Sequence, residues 1–301
     1  MAKYIFHFIV FPGFLFTAIV GLVASWIDRK VTARVQWRVG PPWNQPLMDL
    51  VKLSIKEITV PKDASKFIFF MAPLVGLSAV ILASSFIWLS NFDLGVSGFQ
   101  ADLIVNLYLL TIPAIMLILG ASSSGNPLAS LGSSREIKLI LAYELPFIIA
   151  LTIPIIKSGG LLMLKDLVGY QAINGAFVGN ISGFLALLVA IFCMQAKLGL
   201  VPFDMGEAET EIMAGTYIEY SGILLAILKL TKTMMMVVLP VFLITIFWGG
   251  FSIWKYVVLL VVMILMRNTN PRVRIDHAVR FFWGKMTWIA LVALGLALIG
   301  R

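Results

Sequence analysis

The stretch YSGILLAILKLTKTMMMVVLPVFLITIFW, from Tyr220 to Trp248, decides the fold class of this chain. Its only charged residues are Lys229 and Lys232, and most other positions are apolar. A helix needs about 20 apolar residues to cross the hydrocarbon core of a bilayer, so this stretch is long enough to span a membrane. The composition agrees, because 60% of the 301 residues are hydrophobic and only 13% are charged.

Seven further apolar runs predict an all-α integral membrane protein, a bundle of about eight transmembrane helices. We treat residues 1–301 as a single transmembrane domain. With Tyr220–Trp248 as the sixth span, the others are Tyr4–Ile27, Phe67–Ser90, Leu103–Ser122, Leu139–Ile156, Ile181–Lys197, Phe251–Met266 and Met286–Gly300.

The distribution of basic residues predicts the orientation of the bundle. Most of the 23 Lys and Arg residues lie in connections on one side of the predicted spans. Connections rich in Lys and Arg stay in the cytoplasm. We therefore expect a multi-pass protein of the cell membrane with both termini outside. Its cytoplasmic loops would lie at about 28–66, 123–138, 198–219 and 267–285.

Other composition features exclude several classes of function. The net charge of +8 does not indicate nucleic-acid binding, because the basic residues cluster in short loops and the positive-inside rule accounts for them. The chain has one cysteine, Cys193, and two distant histidines, His7 and His277. This set cannot supply the several thiolates of an iron–sulfur cluster and has no metal-ligand spacing. We expect no metal site, no catalytic residue and no cofactor in this chain.

The segment VPFDMGEAETEIMAGTYIEYSG, from Val201 to Gly222, holds a third of the 15 carboxylates. Pro202 suits the first turn of a helix. In such a helix Asp204, Glu207 and Glu211 share one face, Glu219 lies at its edge and Glu209 points away. Clustered like charges repel, so this face needs cations or water. The alternative is a solvated acidic turn in the cytoplasm.

Three more charged residues lie inside predicted spans. Glu144 is within LAYELP of the fourth span, and Lys229 and Lys232 share a face of the sixth. Ionisable groups at membrane depth are costly, which favours a buried polar path through spans four to six. Glu144 and Glu219 would continue that path inward, with Lys229 as their charge partner. The alternative is that the lysines extend to the membrane surface.

Several motifs resemble the H subunit of respiratory complex I, which joins the redox arm to the membrane arm. The resemblance covers nearly the whole chain, with eight helices in both. It includes EAETEIMAGTYIEYSG (207–222), AYE (142–144) and NPRVRIDHAVRFFW (270–283). In the first cytoplasmic loop the residues that match the family pattern are Arg29, Gln36, Arg38, Gly40, Pro41, Asp49, Lys52 and Glu57.

Within that family, the sequence is most similar to the membrane subunit of energy-converting nickel–iron hydrogenases. The motif NTNPR (268–272) and the lysines of the sixth span carry this likeness. GPPW (40–43) and the apolar continuation after EYSG depart from the quinone-reducing branch. The alternatives are the quinone-site subunit of a complex I-type oxidoreductase and the equivalent subunit of a sulfur-reducing complex.

The resemblance implies a membrane subunit of a redox-driven ion pump that couples electron transfer to H⁺ or Na⁺ translocation. Its partners would be a hydrogenase-like large subunit, an iron–sulfur small subunit, antiporter-like membrane subunits and membrane lipids. The iron–sulfur clusters and the nickel–iron site would belong to the partners. The ion path would comprise Glu144, Asp204, Glu207, Glu209, Glu211, Glu219, Lys229 and Lys232. The interface with the redox module would comprise Arg29, Arg38, Asp49, Lys52, Glu57, Arg272, Arg274 and Asp276.

Simpler functions fit the sequence less well. The arginines could only fix the loops and orient the chain. A stand-alone secondary transporter usually shows internal repeats, and none stands out. A structural anchor has no need for charged residues inside apolar helices.

Overall fold

The computed structural model describes residues 2–92 and 102–300, and within these ranges the regular elements are helices. One isolated β-bridge joins Asp102 to Met163. The helices are α1 (Ala2–Ile9), α2 (Phe14–Val35), α3 (Gln45–Ile55), α4 (Lys66–Asn91), α5 (Leu103–Ser122), α6 (Pro127–Lys157), α7 (Leu164–Asn174), α8 (Ile181–Lys197), α9 (Glu209–Ile212), α10 (Gly222–Phe247), α11 (Ile253–Thr269), α12 (Ile275–Arg280) and α13 (Thr287–Leu298). A π-helical turn, Phe281–Met286, makes α12 and α13 continuous.

The prediction of an all-α membrane bundle is confirmed. In the described ranges, six helical segments are long and apolar enough to cross a bilayer: Phe6–Val35, α4, α5, α6, α10 and Ile275–Leu298. The remaining two predicted spans correspond to α8 and α11, each of 17 residues. At 1.5 Å per residue, each is about 26 Å long, slightly less than a typical hydrocarbon core. The placement of both termini outside stays a prediction.

Several predicted loop bounds are wrong because the helices extend further. Helix α6 begins at Pro127, where the Asn126 side chain accepts a hydrogen bond from the Leu128 backbone N–H, so most of the loop predicted at 123–138 is helical. In the loop predicted at 28–66, α2 continues to Val35 and α3 forms a separate amphipathic helix. The last span begins near Ile275 rather than at Met286, which shortens the loop predicted at 267–285.

Helix α10 lies at the centre of the bundle. It packs against α2 and α4, and these three helices form one group. Helices α6, α8 and α13 pack against one another as a second group. Helix α5 lies between the groups, in contact with α4 and α6. From Met234 to Phe247 every residue of α10 is buried. A helix that is apolar on all sides belongs in the interior, so α10 is the core element, and the partly exposed outer helices present apolar surface to the bilayer.

The segment between α8 and α10 is not the continuous helix that Pro202 predicted. It consists of a 3₁₀ turn (Met205–Glu207), the single turn α9 and a second 3₁₀ turn (Gly215–Tyr217). Met213 and Ala214 adopt the left-handed conformation, with φ of 51° and 69°, which stops the helix. The segment packs closely on α6, since a Cβ on Gly132 would lie 2.8 Å from the Thr216 backbone nitrogen.

Cysteines placed at Gln45 and Val178 test the predicted orientation. Gln45 begins α3 and Val178 lies in the turn before α8, in connections that the basic-residue distribution assigns to opposite sides. We expect a membrane-impermeant thiol reagent to label them from opposite faces of sealed vesicles. The native Cys193 is buried, so the parent provides an unlabelled background. Labelling of both positions from one face would contradict the orientation.

Candidate functional site

The broken segment between α8 and α10 separates its acidic side chains and pairs most of them with different partners. Asp204 accepts two hydrogen bonds from the Arg272 guanidinium, at 2.8 and 2.6 Å, and Arg272 also donates to the Thr210 hydroxyl. The hydrogen bonds to Asp204 raise the pKa of Arg272 above its already high usual value. This bidentate pair fixes the connection between α11 and α12 to the acidic segment.

Glu207 pairs with a lysine of the central helix. Its carboxylate lies 2.5 Å from the Lys232 Nζ, and the same ammonium donates to the Gly199 carbonyl at 3.2 Å. Tyr217 lies beside this pair, and burial, together with the charges of Glu207 and Glu136, raises its pKa well above the usual range. The phenol therefore stays protonated and can donate a hydrogen bond to the carboxylate.

A second ion pair lies deeper, between α6 and α8. The Lys197 Nζ is 2.7 Å from the Glu144 carboxylate, and the Thr111 hydroxyl of α5 lies 2.8 Å from both groups. The Lys197 side chain is only 1% exposed and its ammonium faces the rings of Phe147 and Tyr143. Lys197 is therefore the charge partner of Glu144, a role that the sequence analysis assigned to Lys229. The Lys229 side chain is exposed.

Glu136 is a buried carboxylate that sequence reasoning missed. It lies on α6, two turns before Glu144, and only 8% of the residue is exposed. A Cβ on Gly206 would come within 2.4 Å of its Oε2, so the carboxylate packs directly on the acidic segment. The sequence placed Glu136 in a loop at 123–138, where a charged residue is ordinary. Had the start of α6 been predicted correctly, a carboxylate inside a membrane helix would have indicated a candidate site residue.

Two cavities adjoin these groups. An inner cavity of about 60 Å³ is lined by Glu136 and Lys197. An outer cavity of about 610 Å³ is lined by Asp28, Glu209 and Arg267. Glu207, Tyr217 and Lys232 line both cavities, so the Glu207–Lys232 pair stands in the wall between them. A water needs roughly 10–15 Å³ of such volume, so the inner cavity has room for several waters among its polar groups.

The other predicted path residues lie in different surroundings. Glu211 pairs with Arg135 at 2.6 Å, and Glu219 accepts a hydrogen bond from Asn126 at 2.5 Å. Glu209 and Lys229 are exposed and line the outer cavity. The prediction that Asp204, Glu207 and Glu211 share one helical face is wrong, because the segment is not a continuous helix. Each of the three carboxylates pairs with a different cation. Arg267 of α11 pairs with Asp28 of α2 on the outer cavity.

The predicted interface with a redox module forms an exposed surface at the same end of the bundle. Arg29 and Asp49 pair at 2.8 Å. Hydrogen bonds from Arg29 and Gln45 outweigh partial burial and lower the pKa of Asp49. Arg272 is held by Asp204, whereas Arg38, Lys52, Glu57, Arg274 and Asp276 are exposed.

Large apolar side chains accompany these charges. Trp37 is 98% exposed and Trp43 is 77% exposed in the connection between α2 and α3. Leu47, Met48, Val51 and Ile55 of α3 are also exposed. An apolar patch rimmed by charges is typical of a protein–protein contact.

The arrangement offers side chains that can bind and release protons. Among residues 2–92 and 102–300, no group of three or more His, Cys, Asp or Glu side chains could ligate a metal ion. What the site offers is a series of carboxylates and amines around water-sized space. Such groups can pass protons when water bridges them.

Comparison with known proteins gives a consistent result. The family model described as NADH dehydrogenase matches residues 8–298. The chain is 31% identical to the H subunit of the NADH-quinone oxidoreductase of Thermomicrobium roseum, with 94% of this chain and 92% of that protein covered. It is 30% identical to NADH-quinone oxidoreductase subunit 8 of Thermus thermophilus, with 93% and 85% covered.

A solved structure is also similar. A chain of the membrane-bound sulfane sulfur reductase, an archaeal respiratory membrane complex, superposes with a TM-score of 0.89 at 28% identity. The alignment covers 99% of this chain and 100% of that one. The likeness therefore includes the connections as well as the membrane helices.

Proposed function

The chain belongs to the NADH dehydrogenase family, whose relatives include the H subunits of NADH-quinone oxidoreductases, and we propose on this premise that it couples a cytoplasmic redox module to ion translocation. It is a membrane subunit of a redox-driven oxidoreductase complex. Its own part is the coupling, and the electron-carrying groups belong to partner subunits. The observation that carries this proposal is the Glu207–Lys232 pair in the wall between an outer and an inner cavity.

The proposed route begins in the outer cavity. A change of charge in the redox module alters the field on Asp28, Glu209 and Arg267, which line this cavity below the exposed surface. The Glu207–Lys232 pair responds because its two charges are only partly exposed and are held mainly by each other. Opening this pair would join the two cavities and admit water to Glu136.

The route continues from the inner cavity into the membrane. Glu136 and Lys197 line that cavity, and Lys197 binds Glu144. An ion or proton that reaches Glu136 can therefore pass through water to the Lys197–Glu144 pair. The Glu144 side chain is 19% exposed on α6. An antiporter-like membrane subunit that packs on this part of α6 would accept the proton or ion from Glu144. Asp204, Glu211 and Glu219 support the segment through their own partners.

We assign the redox module to the nickel–iron hydrogenase type. The motif NTNPR and the lysines of α10 favour this type. One of these lysines, Lys232, forms the ion pair with Glu207 on which the proposed route depends. The outer cavity has seven charged residues among its lining, which suits water and ions better than an apolar quinone ring. The partners would be a hydrogenase-like large subunit, an iron–sulfur small subunit and antiporter-like membrane subunits.

A second candidate is the equivalent subunit of a sulfur-reducing complex. The similarity to a chain of the sulfane sulfur reductase over the whole length favours it. Both candidates use this chain in the same way, and they differ in the partner that receives electrons.

Purification of the intact complex in mild detergent tests the proposal. We expect soluble subunits with iron–sulfur clusters to co-purify, because the described part of this chain offers no cluster of metal ligands. Nickel in the preparation would support the hydrogenase type. Iron and sulfide without nickel, with reduction of polysulfide, would support the sulfur-reducing type. A chain that purifies without redox subunits and transports ions alone would contradict both.

A further inference from the structure

A third cavity, of about 410 Å³, lies at the end of the bundle that holds the acidic segment. It is bounded by the last turn of α11, by the C-terminal half of α8 and by α12 with its π-helical turn. The loop before α12 is tied to the acidic segment, since the Val273 backbone N–H donates to the Pro202 carbonyl at 3.0 Å. None of the steps in the ion route uses this cavity.

The cavity lies in a cleft between two groups of helices. Helix α11 packs against α2 and α10, whereas α13 packs against α6 and α8. Val258, Val261 and Leu265 of α11 are exposed, so this helix presents apolar surface to the bilayer beside the cavity. The cavity is therefore close to membrane-facing surface.

The lining combines two chemistries. His277, Arg280 and Lys285 are basic, Phe192, Phe281 and Met266 are apolar, and the described lining includes no carboxylate. Within residues 2–92 and 102–300, no ion pair involves Arg280 or Lys285. The nearest acid in the sequence, Asp276, is exposed on α12 and does not line the cavity. In the part of the chain that the structure describes, Arg280 and Lys285 therefore make no direct ion pair, although Asp276 lies one helical turn before Arg280.

The basic residues Arg280 and Lys285 lie in the first three turns of the last membrane-spanning segment, Ile275–Leu298. Met266 and Asn270 mark the end of α11, and Lys285 precedes α13. Trp283, between Arg280 and Lys285, is exposed, and tryptophan favours the headgroup level of a bilayer. Basic pockets between membrane helices on the cytoplasmic side suit anionic headgroups.

We propose that this cavity binds one anionic phospholipid. The headgroup phosphate lies between Arg280 and Lys285, and an acyl chain lies against Phe281 and Met266 and continues along α11. An apolar helix of another subunit fits less well, because it would bury both cations without a partner. A zwitterionic lipid would offer its phosphate together with a competing positive charge.

Phosphatidylglycerol retention by the intact complex tests this site. The complex is placed in nanodiscs of phosphatidylcholine with a minor share of phosphatidylglycerol, and the tightly held lipid is counted after detergent exchange. We expect the Arg280→Gln/Lys285→Gln variant to hold one phosphatidylglycerol fewer per complex, with affinity at that site about 30-fold weaker. Lys138→Gln, at an exposed position of α6 outside the cavity, should match the parent.

A second variant covers the case in which loss of both charges prevents assembly. Met266→Trp fills the apolar part of the cavity and leaves its charges in place, so it should also lose the lipid. Equal phosphatidylglycerol retention in parent and variants would overturn the proposal. Retention of phosphatidylcholine at this site as strong as that of phosphatidylglycerol would also overturn it. A cross-link from Asn270→Cys to another membrane subunit, in a complex that holds no lipid at this site, would do the same. None of these outcomes depends on the route proposed for ions.

Discussion

Replacing Glu144 by Gln is expected to lower the number of ions transported per electron by roughly 100-fold, while electron transfer continues. Gln keeps nearly the same volume and can still accept a hydrogen bond from Thr111, but it cannot bind and release a proton. It also removes the carboxylate that pairs with Lys197, whose side chain is 1% exposed. The ratio is measured in sealed vesicles that contain the intact complex.

Loss of the carboxylate also leaves a buried ammonium without its counter-ion, which can cost roughly 3–5 kcal/mol of stability. The double variant Glu144→Gln/Lys197→Met removes both charges and separates the two effects. We expect it to assemble like the parent and still fail to transport ions. Transport at the parent's ratio in either assembled variant would show that this pair is structural.

Replacing Trp37 and Trp43 by Ala is expected to give the second large effect, the loss of the soluble subunits from the complex. Both side chains are exposed between α2 and α3, and Arg38 and Lys52 in the same part of the chain are exposed too. Tryptophan is enriched among the residues that dominate binding energy. If each contributes about 2 kcal/mol, the double variant binds its partner roughly 1,000-fold more weakly. The measurement is the amount of redox subunits that co-purify with this chain.

Trp288→Ala is the matched control for this variant. Trp288 is exposed on α13, within a predicted span and far along the chain from the first loop. Its replacement should leave the soluble subunits bound. Normal recovery of these subunits in the Trp37→Ala/Trp43→Ala variant would place the docking surface elsewhere.

The membrane helices could be predicted from sequence because long apolar runs have few other stable environments. Tyr220–Trp248 predicted α10 to within two residues at each end. The bounds failed where polar residues continue a helix, as at Pro127 to Lys138. There the Asn126 cap and the close contact of Gly132 with the acidic segment stabilise a helical start that hydropathy alone does not indicate.

The candidate site could be predicted only in part. The individual charges Glu144, Glu207 and Lys232 were found because they lie within or beside apolar helices. Their partners come from distant parts of the chain, as with Lys197 and Glu144, 53 positions apart, or Arg272 and Asp204, 68 positions apart. A periodicity argument assumes a regular helix, and the left-handed Met213 and Ala214 interrupt it.

The central claim is that ions pass through the two cavities and not along the acidic residues in general. The most direct test is the number of ions transported per electron in sealed vesicles for Glu136→Gln compared with Glu219→Gln. Glu136 lines the inner cavity, whereas Glu219 bonds to Asn126 and lines neither cavity. We predict that Glu136→Gln transfers electrons but loses most transport, and that Glu219→Gln keeps the parent's ratio. A parent-like ratio in Glu136→Gln, or equal loss in both variants, would contradict the proposed route.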